Sequence, residues 1–152
     1  MKKIIAFGLV CFSAVVFADS MKPLNQIANK ANLMTQEPAA ISYVFLRCSA
    51  AYAVMSGIGS ERMNVPKKRA DELMKYSTDF LEGSIELDKL NESIRQSNKK
   101  LAVTEITQNS LGMQKRLVEY YFSDLKSAKD TTGNYFSGNF LSDVEFCSSL
   151  SK

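Results

Sequence analysis

The amino-acid sequence predicts one all-α domain, a small bundle of four to five helices carrying one disulfide and preceded by a signal peptide. Three observations lead there. Apolar residues recur at three-, four- and seven-residue steps, and no segment keeps the two-residue alternation of a half-buried strand. The chain opens on a short leader that is basic and then apolar. Removing that leader turns three cysteines into an even pair, Cys48 and Cys147.

The leader reads MKKIIAFGLVCFSAVVFADS. Lys2 and Lys3 supply the positive start, Ile4 to Phe17 the apolar run, and Val16-Phe17-Ala18 the small-residue pattern for cleavage after Ala18. The run falls short of the ~20 residues of a membrane span, so an uncleaved anchor is the weaker reading. Lipid attachment at Cys11 is disfavoured, because bulky Val10 precedes it and apolar residues continue beyond it. The mature domain is then residues 19–152, with the periplasm or the medium as its destination. Cleavage takes two of the 19 basic residues, leaving 17 against 16 acidic ones. Such a balance gives no electrostatic case for nucleic acid, which needs a concentrated basic face. Lys67-Lys68-Arg69 is a solvated first helical turn.

Residues 19–38 are polar, with Leu24, Ile27, Leu33 and Met34 as scattered apolar points between Pro23 and Pro38. They predict a loosely docked arm or a short helix. Ala39 to Ser56 is the most apolar stretch of the mature chain. Ile41, Val44, Phe45, Cys48, Tyr52 and Met55 mark one helical face, and Tyr43, Leu46, Ala50 and Val54 the opposite one. A helix apolar all round belongs at the centre of a bundle, and Gly57 and Gly59 are expected to end it. A membrane span is the competitor. It would place Arg47 near the bilayer centre at about 2.5–3.5 kcal/mol, so the core helix is preferred.

Pro66 suits a first helical position. Leu73, Phe80, Leu87, Ile94 and Leu101 then repeat every seven residues, predicting a long amphipathic helix from Pro66 to Asn98. Ser77, Ser84 and Asn91 at the other seam positions argue against a dimeric coiled coil. The next helix is expected from Val103 to Lys129, with Ile106, Ser110, Met113, Leu117, Tyr121 and Leu125 on its main face. Asp130 to Asn134 forms a break. A last short helix starts at Gly138-Asn139 and sets Phe140, Val144 and Cys147 on one face. Cys147 thus points inward, where it can meet Cys48 on the central helix, as an exported cysteine pair would.

The chemistry is mostly exclusions. The chain has no histidine, which removes the usual nucleophilic triads and the commonest metal ligand. Two thiols alone cannot close a zinc site, so neither metal nor cofactor is expected. Gly57-Ile58-Gly59-Ser60 lacks the strand that a phosphate-binding loop follows. Glu82 with Glu86, and Asp88 with Glu92, lie one turn apart, but sugar cleavage wants carboxyls converging across a cleft. A cell-wall hydrolase is therefore the third reading. The second is a lipid or small-molecule carrier, its interhelical cavity lined by Tyr52, Met55, Met113 and Tyr121. The first is a non-enzymatic interaction protein, an inhibitor, chaperone-like factor or assembly accessory, whose partner is another protein and whose mature chain spans no membrane. Its candidate binding residues are Arg47, Met63, Met74, Tyr135, Phe136 and Phe140, an adaptable Met-rich and aromatic set. For Arg47 a structural ion pair or a stem reaching solvent competes with anion recognition.

Overall fold

The structure, a computed structural model, describes residues 21–62, 65–94, 101–136 and 138–151, the side chains of residues 30, 31, 34 and 59–62 excepted. Among these residues there are five α-helices and no strand: α1 Leu24–Ile27, α2 Pro38–Arg62, α3 Lys67–Ile94, α4 Val103–Thr132 and α5 Asn139–Leu150. A 3-10 turn, Lys30–Thr35, links α1 to α2. Residues 1–18, the expected leader, and Met63 lie outside the described residues.

Helix α2 is the axis, and its two apolar faces explain why. One packs Ile41, Val44, Cys48 and Tyr52 against Leu24, Leu33, Leu73 and Phe146. The other packs Leu46, Ala50 and Val54 against Leu117, Tyr121, Leu125 and Phe140. The bundle thus has two cores with α2 as their shared wall. Pro38–Ile58 is long and apolar enough to cross a bilayer, yet 67% of its 18-residue apolar stretch is buried inside the protein. Gly57 and Gly59 do not stop α2, which continues to Arg62. A helical glycine costs only about 1 kcal/mol against alanine, and the contacts of Ser56 with α3 carry the helix past it.

The α2–α3 seam is built from serines. Ser42 donates to the Ser84 carbonyl at 3.3 Å, Ser49 to the Ser77 carbonyl at 2.7 Å, and Ser56 to the Ala70 carbonyl at 2.9 Å. Each seven-residue step along α2 is matched by a seven-residue step back along α3, so the helices run antiparallel in a fixed register. Small side chains let the two backbones approach, and each buried hydroxyl finds a backbone acceptor instead of being left unpaired. Gln114 of α4 joins the seam by donating to Ser49 Oγ at 2.6 Å. Beside it runs an aromatic ladder in which Tyr52 stacks on Phe80 and Phe80 meets Phe45 edge to face.

Helix ends follow local chemistry. Pro66 precedes α3 and accepts from the Arg69 and Ala70 amides. Gly133 closes α4 at φ 75°, a left-handed conformation suited to glycine. Gly138 enters α5 at φ 78°, and the Asp124 carboxylate caps the new helix by accepting from the Phe140 amide at 2.9 Å. Cys48 and Cys147 form the disulfide, with Cα atoms 5.4 Å apart and a sequence separation of 99. Both are fully buried. The bond fastens α5, only 12 residues long, to the axial helix.

Candidate functional site

Arg47 is 1% exposed and Asp143 0%. The Arg47 guanidinium donates through Nη2 to Asp143 Oδ2, through Nη1 to the Lys22 carbonyl at 2.8 Å, and through Nε to the Tyr121 hydroxyl at 3.3 Å. The Tyr121 hydroxyl itself donates to Asp143 Oδ2, and the Leu24 amide donates to Oδ1 at 2.7 Å. Burial opposes the charge on Arg47, but Tyr121 and Asp143 outweigh it and hold its pKa above the ordinary arginine value. Burial first, then the Asp143 charge, pushes the Tyr121 hydroxyl well above the usual phenol range. The phenol is therefore neutral, and the pair is Arg47⁺ with Asp143⁻. A buried pair is tolerable only when its polar atoms are hydrogen-bonded, and here Nε, Nη1 and Nη2 of Arg47 and both carboxylate oxygens of Asp143 each have a partner. Arg47 is thus occupied inside the protein.

The same cluster fixes the N-terminal lead. Leu24 is fully buried, its amide held by α5 and the Lys22 carbonyl by α2. Asn139 adds a bond from its side chain to the Met21 carbonyl, and the Tyr43 hydroxyl reaches Met21 Sδ at 3.4 Å. Residues 24–27 form a short helix that is fastened at several points, not a loose arm.

The other candidates scatter. Phe140, expected at a binding surface, is fully buried. It meets Tyr121 edge to face at 5.4 Å, because it begins the inward face of α5. Tyr135 and Phe136 are half-buried against the α4 core, and Lys129 Nζ sits 4.1 Å from the Tyr135 ring centre. Met74 is 47% exposed but stands beside the ion pairs Lys67–Asp71 and Lys75–Asp79. Of the four residues proposed to line a carrier cavity, Tyr52 and Met55 border a recess of about 260 Å³ between α2, α3 and α5. Met113 and Tyr121 belong to the α4 core. The carboxylates of α3 do not converge. Glu86 pairs with Lys89, Asp88 accepts from Ser110, and buried Glu92 accepts from the Leu101 amide.

Ile27, Met74, Leu111 and Phe122 are exposed at separate places, whereas four further exposed apolar side chains gather at one end of the bundle. The α2–α3 register sets Pro38, the first residue of α2, opposite Asp88. Beyond Asp88, α3 has no α2 to pack on. Ser110 Oγ donates to Asp88 Oδ2 at 2.9 Å, so the α4 residues before Ser110 share that overhang. Leu90, Ile94, Leu101 and Val103 all lie on this two-helix spur and are 50%, 60%, 37% and 58% exposed. The seven-residue repeat placed Ile94 and Leu101 in the core stripe. They leave it because the opposite helix has ended. The Glu92 bond to Leu101 and the Glu105 carboxylate on the Ala102 amide at 2.8 Å shape the spur where α4 begins.

Comparison of the chain with protein-family models, with curated proteins and with solved structures returned no match.

Proposed function

We propose that the mature chain is an exported, non-enzymatic interaction protein, an inhibitor, chaperone-like or assembly accessory factor that holds another protein through the α3–α4 spur. One observation carries this reading: four large apolar side chains stand exposed on a projection that the bundle leaves uncovered. Soluble proteins ordinarily keep such groups scattered, and a concentration of them favours protein contact. Elsewhere the exposed faces of α3 carry ion pairs, at Lys67–Asp71, Arg69–Glu72 and Lys75–Asp79. The near-neutral mature charge fits a partner recognised by shape and apolar area more than by electrostatic steering. The leader sends the chain to an oxidising compartment, where the buried Cys48–Cys147 bond forms and persists.

Photo-crosslinking in the native host tests the reading. A photoreactive residue at Ile94 or Val103 should give one discrete adduct with a second protein. The same probe at Lys75, on the ion-paired part of α3, should not. Ile94→Asp combined with Val103→Asp should abolish an adduct formed from Leu90. Absence of adducts from the spur, or equal yield from Lys75, removes the proposal.

A further inference from the structure

The recess beside Tyr52 has a chemistry distinct from that of the spur and lies toward the other end of α3. Arg69 and Ile94 are 25 residues apart on one helix, about 37 Å at the α-helical rise. Its inner wall is apolar, made by Leu73, Met55 and Val144, with the Tyr52 and Tyr76 rings 5.4 Å apart at its side. One edge carries hydroxyls. The Tyr52 hydroxyl donates its one proton chiefly to Ser151 Oγ at 3.0 Å, with Ser148 Oγ a second, weaker acceptor at 3.5 Å. Ser151 turns its proton to the Cys147 carbonyl at 3.1 Å. The Ser148 hydroxyl serves there as an acceptor, which leaves its own proton to offer to a guest. At the rim stands Arg69, whose side chain is 58% exposed and engages Glu72 through Nη1 alone. The guanidinium has five N–H donors in a planar fork, so most remain for a second carboxylate.

We infer that this recess binds a small amphipathic carboxylic acid, its apolar body against Leu73, Met55 and Val144 and its carboxylate between Arg69 and the Ser148 hydroxyl. The volume, about 260 Å³, falls just under the ~300–1,000 Å³ range of pockets for drug-sized ligands. The occupant is therefore a compact acid and not a diacyl lipid. The apolar wall supplies burial, and the fork, which matches a carboxylate and not an alcohol, supplies selectivity.

The test is a nuclear magnetic resonance titration of the full mature chain, disulfide intact, with 4-phenylbutyrate and, in parallel, with 4-phenylbutan-1-ol. Saturable shifts should appear for the acid at the amides of Tyr52, Tyr76, Val144 and Ser148, with affinity at least tenfold above that of the alcohol. Arg69→Gln, a surface change expected to fold normally, should bring the acid down to the level of the alcohol. Val144→Phe, which fills the recess, should weaken both ligands. Thermal melts of each variant check folding, and Ser148→Leu, which narrows the recess from the α5 side, replaces Val144→Phe if that variant melts early. Shifts elsewhere, no saturation, equal binding of acid and alcohol, or an unchanged Arg69→Gln variant would each overturn the inference. None of these outcomes depends on whether the spur crosslinks.

Discussion

Asp143 holds three donors at once, and removing it gives the sharpest forecast. Asp143→Ala leaves the Arg47 guanidinium, the Tyr121 hydroxyl and the Leu24 amide facing a vacated, fully buried position. Breaking a buried ion pair by deleting one partner costs about 3–5 kcal/mol, most of it from the stranded charge. An unsatisfied neutral donor costs about 1–3 kcal/mol, but the three share one site and their costs do not add. A net loss of about 3–5 kcal/mol follows. For a domain of this length each kcal/mol lowers the melting point by about 3–5 °C, so the variant should melt about 10–20 °C early. The assay is guanidinium unfolding of the oxidised protein, followed by circular dichroism, beside Arg47→Met and the double variant Arg47→Met with Asp143→Leu. The double variant should be more stable than Asp143→Ala, since it strands no charge. Amide exchange at Leu24 should accelerate in Asp143→Ala more than at Leu117 in the other core. If Asp143→Ala costs under about 1 kcal/mol, or if the double variant loses the full sum of the two singles, the cluster is not a coupled clamp.

Four further outcomes follow from separate features. Replacing both Cys48 and Cys147 by alanine opens the 99-residue loop and should destabilise the fold by about 4–5 kcal/mol in the chain-entropy model, read from the denaturant midpoint. Gly83→Ala would set a methyl group 2.8 Å from the Phe45 ring and should cost about 1 kcal/mol or more despite its gain in helix propensity. Gly57→Ala meets nothing within 4 Å and should stabilise by up to about 1 kcal/mol; parallel thermal melts compare the two. The Tyr121 pKa is raised in the folded state, so its contribution is complete below the ordinary phenol value and is lost as pH climbs from about 10 toward the folded value. Melting temperature should fall across that alkaline range, and Tyr121→Phe should flatten the fall.

Much of the fold was readable because helices announce themselves by period. The two-faced pattern of residues 39–56 identified α2 as the axis, and counting the cysteines outside the expected leader paired Cys48 with Cys147. The serine seam was harder to see. Ser42, Ser49 and Ser56 repeat at seven residues and so do Ser77 and Ser84, but serine reads as surface in a hydrophobicity pattern. Their role emerges only when two antiparallel repeats meet. Asp143 had a local signal too, a carboxylate inside the apolar stripe Phe140, Val144 and Cys147 of a short helix. Nothing local, however, joins it to Arg47, 96 residues away. The spur was hidden for a similar reason. Leu90 and Ile94 continue a regular apolar repeat, and only the register of α2 against α3 shows where cover runs out. Phe140 does not belong with Tyr135 and Phe136 in a binding set, because its place on the inward face of α5 requires burial.

The measurement closest to the centre of this account is the mass of the protein recovered from its native host, intact and after digestion without reduction. The expected masses are those of a chain beginning at Asp19, with no thiol open to alkylation and one peptide pair joined through Cys48 and Cys147. A chain retaining residues 1–18, or alkylated Cys48 and Cys147 in the folded protein, would contradict it.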